Sequence, residues 1–304
     1  MQSIITILGP TAIGKSKLAI ELAKEFSGTI ISADSRQVYK NFDIGSGKIT
    51  IDEMQKVPHY MLDIKEIWED YNVAEFQREV KSILKELDTQ QTIPFLVGGT
   101  GLYIESIIYN YQLSNIPVQN KLRVELSQLN KVELQNKLLS LNPQANLNQS
   151  DWNNPVRLIR AIEISGFDIK TTIPNPSQPY THLLIGLTST LNDIKNRIIT
   201  RVEDRLEKGV VEEVKKIRFI LNKKLPSHIA HNKMQQLGLG TIAICDYLDN
   251  KIDYETMKNK YTQSEYQYAR RQLTWFRRMS EINWFEVTDK NLIPKVTQLI
   301  SAFL

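Results

Sequence analysis

Residues 9–16 read Gly9-Pro-Thr-Ala-Ile-Gly-Lys-Ser16, which fits Gly-x4-Gly-Lys-Ser, the phosphate-binding loop. Each of Gly9, Pro10, Thr11, Ala12, Ile13, Gly14, Lys15 and Ser16 is a candidate phosphate contact. Backbone N–H groups and a helix N-terminus cradle the anion, Lys15 neutralises its charge, and the Ser16 hydroxyl offers a ligand to Mg²⁺. The ligand class is a polyphosphate, with ATP and other nucleotides among the possibilities. Asp34 and Thr100 come next. A carboxylate in Asp34's position can hold Mg²⁺ through water or accept a proton from a nucleophile; its plain alternative is a cap or turn residue. Thr100 lies between Gly99 and Gly101, so its backbone can approach a ligand closely and its hydroxyl can donate to a leaving-group oxygen. The plain alternative there is a tight turn.

These residues need elements to carry them. Ile4, Ile5, Ile7 and Leu8 read as a buried strand before the loop, and the 3.6-residue spacing of Leu18, Leu22 and Phe26 predicts a helix after it. A second strand at Thr29-Ile-Ile31 runs into Asp34-Ser-Arg-Gln-Val-Tyr39. A third at Ile93-Pro-Phe-Leu-Val97 breaks at Gly98-Gly-Thr-Gly101. Helices are expected over Val73 to Leu87 and Leu102 to Ile108. Asp43-Ile-Gly-Ser-Gly-Lys48 reads as a loop beside the site, and 58–63 as an edge or loop segment. This alternation predicts an α/β fold, a parallel sheet flanked by helices, with ligands at the carboxyl ends of the strands.

From 112 to 175 the strand signals vanish and Asn and Gln become frequent. Helices are expected over Lys121–Leu129, Val132–Leu141 and from the Asn154-Pro155 cap to Gly166. The segment reads equally as a helical insertion or as connecting helices. A strand resumes at His182 to Leu187, and 192–221 reads as one long amphipathic helical region. Its Arg197, Arg201 and Arg205 can reach phosphate, Arg201 being the candidate. Spacing alone favours a solvated face paired with Glu203, Asp204 and Glu207. A late helix over Tyr261 to Met279 buries Tyr266, Ala269, Leu273 and Phe276. It carries Arg270, Arg271, Arg277 and Arg278 around Trp275, a pattern suited to nucleic-acid phosphates and base stacking, with a core position the equal alternative for Trp275. His228 and His231 read as loop residues rather than a metal pair.

The chain has 304 residues with net charge +4, which permits a nucleic-acid partner without demanding one. A single cysteine, Cys245, excludes an internal disulfide framework and suits a reducing cytoplasm. Neither a signal peptide nor a transmembrane run is expected.

Five strings occur in the order seen in tRNA dimethylallyltransferases: the phosphate loop, Asp34-Ser-Arg-Gln-Val-Tyr39, Val97-Gly-Gly-Thr-Gly-Leu-Tyr103, Arg157-Leu-Ile-Arg-Ala161 and Arg270-Arg-Gln-Leu-Thr-Trp-Phe-Arg277. The chain resembles that family over nearly its whole length. The resemblance implies a P-loop NTPase-like core from 1–111 and 176–304, with a helical insertion over 112–175 that grips the tRNA anticodon stem. It implies transfer of a dimethylallyl group from its pyrophosphate to N6 of the adenosine just 3′ of the anticodon, in tRNAs reading codons that begin with U. By resemblance Asp34 is the general base and Thr100 lies close to it and to the pyrophosphate. Contacts to tRNA are implied for Asp34, Ser35, Arg36, Gln37, Thr100, Arg123, Val156, Arg157, Leu158, Ile159, Arg160, Arg270, Arg271, Trp275 and Arg277. The expected cofactor is Mg²⁺, and the expected state a cytoplasmic monomer with no membrane or obligate protein partner.

The chain departs from the family pattern at Ile13, Ile49, Tyr60, Val156 and Leu237-Gly-Leu-Gly-Thr-Ile-Ala243, and none of these removes a proposed chemical group. Competing readings are a nucleotide or small-molecule kinase, an adenine-nucleotide isopentenyltransferase, and a non-catalytic RNA-binding protein switched by a nucleotide. The late arginine-rich helix and the helical insertion favour tRNA over a free nucleotide. Replacing Arg270, Arg271, Arg277 and Arg278 together by alanine is expected to weaken tRNA binding. The slope of log affinity against log salt should flatten by about one for each phosphate left without its arginine. A wild-type slope in filter binding at several salt concentrations would take this face off the RNA.

Overall fold

The computed structural model describes residues 2–111, 113, 116, 118–145, 147–166 and 180–304. The chain divides into two compact units, Met1–Tyr111 with Gln178–Leu304, and Gln112–Ser177. The expected insertion limits at 112 and 175 lie outside the described residues.

The larger unit begins β1 (Gln2–Leu8), α1 (Lys15–Glu25), β2 (Thr29–Ala33), α2 (Ile51–Met54), β3 (His59–Tyr60), α3 (Val73–Thr89), β4 (Pro94–Gly98) and α4 (Gly101–Ile108). The smaller unit holds α5 (Asn120–Leu126), α6 (Lys131–Leu141), α7 (Gln149–Trp152) and α8 (Pro155–Ser165). The larger unit resumes with β5 (Tyr180–Thr188), α9 (Leu191–Glu207), α10 (Val210–Lys224), α11 (Ser227–Leu237), α12 (Leu239–Leu248), α13 (Tyr254–Phe276), β6 (Asn283–Glu286) and α14 (Leu292–Phe303).

The strands form one six-stranded sheet in the order β3-β2-β4-β1-β5-β6. Every neighbouring pair is parallel. Side chains alternate across it as pleating requires. Ile5, Ile7, Ile30, Phe95 and Val97 join one core with α1, α9 and α10. Ile4, Leu8, Ile31 and Leu96 join a second core with α3 and α4. Both faces are therefore buried, which is why the strands read as continuous apolar runs.

The expected helical region at 192–221 is two helices. Gly209 breaks it with φ 92, and the second helix starts from that left-handed residue. His228 and His231 lie within α11 rather than in a loop. Among the described residues no group of His, Cys, Asp or Glu is arranged to hold a metal ion, and no helix is long and apolar enough to cross a membrane.

The smaller unit has its own core of Leu126, Leu134, Leu138, Leu158 and Ile162. Asn130 and Asn154 cap α6 and α8 with their side chains, and Pro155 fills the first turn of α8. Beside that core Glu163 is 0% exposed. Arg123 Nε and Nη2 donate to it at 2.8 and 2.9 Å, Arg160 Nη1 at 3.0 Å and the Gln119 N–H at 2.9 Å. Burial opposes ionisation of Glu163, but these donors outweigh it, Arg123 first, and hold the carboxyl below its usual range.

A group with a depressed folded pKa stabilises the fold above its unfolded value and stops doing so as pH falls through the folded value. This contribution is therefore present above about pH 4.5 and lost below it. Glu163→Gln is expected to cost the smaller unit roughly 2–3 kcal/mol, less than a fully buried pair because the Arg123 guanidinium is partly exposed. The loss should vanish when melting is repeated well below pH 4.5. An equal cost at both acid and neutral pH would contradict it.

Candidate active site

Parallel pairing puts Leu8, Gly98 and Ala33 in register across β1, β4 and β2. The next residues are Gly9, Gly99 and Asp34, so the phosphate loop, the Gly-Gly-Thr turn and the acidic turn leave the sheet side by side. Close approach is enforced by glycine. A Cβ on Gly98 would meet the Ala33 carbonyl oxygen at 2.2 Å, and one on Gly9, where φ is 147, the Leu187 oxygen at 2.6 Å.

A cavity of about 770 Å³ opens above these turns. The phosphate loop from Thr11 to Ser16, Asp34, Arg36, Gln37, Arg201 and Tyr268 lie on its wall. Lys15 and Arg201 on this wall are half-buried. Lys15 Nζ donates to the Pro10 carbonyl at 2.8 Å, and Arg201 Nη1 to Thr11 Oγ1 at 3.1 Å. Burial, then the nearby Arg201 charge, lowers the Lys15 pKa to about 7, against an opposing pull from Asp34. Burial, then Arg205, lowers that of Arg201 to about 10. Two cations are thus held close together in low dielectric, an arrangement that an anion would relieve.

The arginine series on α9 corrects the solvated-face expectation. Arg197 does pair outward, donating to Asp193 at 2.7 Å. Arg205 is 4% exposed and is held by Tyr261 and Glu265 at 3.2 and 3.3 Å. Arg201 and Arg205 both lie against Gly47, where a Cβ would come within 1.9 Å of Arg201 Nη2. Four-residue spacing gives the shared side of a helix but not whether that side faces water.

Asp34 Oδ1 accepts from the Arg36 N–H at 2.8 Å, and Thr100 Oγ1 accepts from the Ser35 N–H at 3.2 Å. The Thr100 N–H returns to the Ala33 carbonyl at 3.2 Å. Asp34 and Thr100 are therefore brought together. The Asp34 carboxylate does take a turn role through Oδ1, while the residue still lines the cavity. Tyr268 hydrogen-bonds the Thr100 hydroxyl, and burial, then the Asp34 charge, raises its phenol pKa. Sequence reasoning missed Tyr268; its place one helical turn before Gln272 on α13 was the available signal. Gln37 reaches the Gly47 carbonyl at 3.2 Å. The Arg36 guanidinium is 4.8 Å above the Tyr268 ring and 3.5 Å from Glu265.

Ser16 and Asp34 are the oxygen donors that suit a metal here. They are too few for a cage, but Mg²⁺ keeps waters and takes phosphate oxygens, so they fit an ion that arrives with a pyrophosphate.

Other expected RNA contacts divide. Arg270, Arg271 and Arg277 are exposed. Trp275 is a half-buried wedge rather than an open stacking platform. It lies against Gly101, donates from Nε1 to Glu105 at 2.8 Å, and has Arg278 4.2 Å above its ring. In the smaller unit Val156 is 72% exposed, while Leu158 is 0% exposed and belongs to the core, so its side chain offers no surface for RNA. Ile159 packs partly into that core, Arg157 pairs with Asp151, and Arg123 and Arg160 serve Glu163.

A family model described as IPP transferase matches residues 37–279. The chain belongs to this family. Relatives named tRNA dimethylallyltransferase are 35% identical in Bacillus mycoides, over 100% of this chain and 96% of that one, and 35% identical in Anoxybacillus flavithermus, over 97% and 93%. A crystal structure of a full-length tRNA isopentenylpyrophosphate transferase from Bacillus halodurans is similar with TM-score 0.73 and 33% identity, covering 99% of this chain and 96% of that one. A eukaryotic dimethylallyltransferase acting on tRNA shares the fold at TM-score 0.83 and 23% identity, covering 100% of this chain and 79% of that one. The IPP transferase match begins beyond the phosphate loop, Asp34, Ser35 and Arg36, so those positions rest on the geometry.

The Lys15 charge gives a pH signature. Its folded pKa, about 7, lies below its ordinary value of 10.5, so between these values the unfolded chain holds a proton that the folded one lacks. Stability contributed by Lys15 then rises with pH across that window. The melting temperature of the anion-free protein, minus that of Lys15→Met, should grow from about pH 7 to pH 10. Saturating pyrophosphate should flatten the trend by restoring the charge. A flat difference without the anion would contradict the buried, cation-crowded Lys15.

Proposed function

We propose that this protein transfers a dimethylallyl group from dimethylallyl pyrophosphate to N6 of the adenosine 3′-adjacent to the anticodon, in tRNAs that read codons beginning with U. The observation that carries the reading is one cavity in which Lys15, Arg201 and the Asp34 carboxylate share the wall with the apolar Ile20, Ile30 and Val97, Thr100 being tied to the Asp34 turn. The apolar wall suits a five-carbon chain beside the phosphate loop.

In this mechanism the N6 amine of adenosine attacks C1 of the dimethylallyl group. The new C–N bond forms as the C1–O bond breaks, and pyrophosphate leaves with the bonding electrons. Backbone N–H groups of the loop, Lys15 and Arg201 stabilise its growing charge. Asp34 accepts the proton from the amine, and Thr100 holds the Asp34 turn. Ser16 and Asp34 would hold Mg²⁺, which would supply further charge neutralisation on the phosphates. The adenosine must leave its stack, at a cost of roughly a few kcal/mol, which is smaller in a loop than in a duplex. The exposed arginines of α13 and Arg157 with Val156 on α8 are the proposed tRNA surfaces. The protein acts as a cytoplasmic monomer in this reading.

Incubation with labelled dimethylallyl pyrophosphate, and separately with ATP, in the presence of tRNA, AMP or neither, separates the readings. Label should move only from dimethylallyl pyrophosphate to tRNA. Asp34→Asn should lower the single-turnover rate roughly 10²- to 10⁴-fold at saturating tRNA, with far smaller changes in binding. A chemical step within about threefold of wild type would leave Asp34 as a turn residue only.

A further inference from the structure

The Arg-Arg-Gln-Leu-Thr-Trp-Phe-Arg string contains one residue that the proposed mechanism leaves without a task, Gln272. It lies on α13, is 5% exposed, and lines the cavity. Its Oε1 accepts from the Thr11 N–H of the phosphate loop at 2.8 Å, and its Nε2 donates to the Gly99 carbonyl at 2.9 Å. Both partners are backbone groups, so the amide orientation is fixed by chemistry: an N–H must meet the oxygen and a carbonyl must meet the nitrogen. The fit leaves no slack, because a Cβ on Gly99 would come within 2.2 Å of Gln272 Nε2.

The consequence is geometric. The phosphate loop follows β1 and the Thr100 turn follows β4. Beyond the ends of those strands, sheet hydrogen bonding no longer ties the two turns. Gln272 spans them with one rigid planar group anchored on a third element. Leaving-group cradle and acceptor-side turn are thereby held at one spacing. Both ends must be in place together for an in-line displacement, and a misplacement of about 1 Å can cost on the order of 10²-fold in rate.

We infer that Gln272 is a positioning residue for the transfer reaction, acting through Thr11 and Gly99 to hold the pyrophosphate cradle in register with Thr100 and Asp34. This rests on the dimethylallyl-transfer reading above. Gln272 itself touches neither reacting atom. Methionine removes both bonds at similar volume. Glutamate keeps the acceptor toward Thr11 and can donate to Gly99 only when protonated.

The test is single-turnover transfer of labelled dimethylallyl pyrophosphate to tRNA. Wild type, Gln272→Met, Gln272→Glu, Thr100→Ala and the Gln272→Met/Thr100→Ala double variant are compared, with melting curves for each. Gln272→Met is expected to slow the chemical step about 10- to 100-fold, while the Kd for dimethylallyl pyrophosphate moves by less than about threefold. The double variant should fall no more than about threefold below Thr100→Ala alone, because both changes disable one turn. The rate of Gln272→Glu relative to wild type should climb as pH is lowered through its carboxyl titration, a trend that a role in stability alone would not produce. If Gln272→Met does not fold, the Gln272→Glu pH profile decides. A Gln272→Met rate within about threefold of wild type, fully multiplicative losses in the double variant, or a flat Gln272→Glu ratio would each overturn the inference. A wild-type protein that labels no tRNA would instead sink the transfer reading itself.

Discussion

Parallel hydrogen bonding aligns Leu8, Ala33 and Gly98 on three neighbouring strands, and each stretch that reads as chemistry begins at the following residue. This constraint precedes any ligand. Once both faces of the sheet are buried, the strands have little freedom to slip, because a one-residue shift would turn Ile5, Ile7, Phe95 and Val97 to the opposite core. The register of the apolar core therefore fixes where Gly9, Asp34 and Gly99 emerge. Glycine then removes the side chains that would hold the three turns apart.

Charge is concentrated on this frame. Arg201 lies close enough to Lys15 to disfavour the lysine's charge, and Arg205 does the same to Arg201. The cost is tolerable in a protein whose ligand brings negative charge to that point. Within reach of both cations stands Asp34, tied to the Arg36 backbone, while Thr100 is tied to that of Ser35. Leaving group and acceptor proton would thus be handled by different groups in one cavity. Arg205, Glu265 and Tyr261 behind Arg201 explain how so many cations share a small volume: Glu265 lies within reach of both Arg36 and Arg205.

Much of this was legible in the sequence, and the reasons differ by residue. The phosphate loop and the strands beside it could be read because their signals are local: a fixed glycine spacing and short apolar runs. The Asn154-Pro155 start of α8 was equally local, a cap followed by a first-turn proline. What failed depended on distant partners. Arg201 and Arg205 read as a solvated face because the groups that bury them, Thr11, Gly47, Tyr261 and Glu265, are far away in the chain. Leu158 read as an RNA contact within a recognised string, yet it fills the smaller core. Trp275 read as a stacking surface, while Gly101 and Glu105 already hold it. The helix break at Gly209 was visible only as a glycine within an otherwise periodic stretch. Gln272 and Tyr268 gave no signal by type, since an amide or a phenol on a helix is ordinary until its partners are known.

In the proposed reaction pyrophosphate and the acceptor adenosine occupy one cavity at the same moment, so that transfer is a single displacement within it. Stereochemistry at the transferred carbon tests this directly. Dimethylallyl pyrophosphate made chiral at C1 with deuterium would be turned over with tRNA, and the configuration of the N6-dimethylallyl group determined after nucleoside digestion. Inversion is the predicted result. Retention would require an intermediate covalent transfer to the protein, and would contradict a single direct displacement.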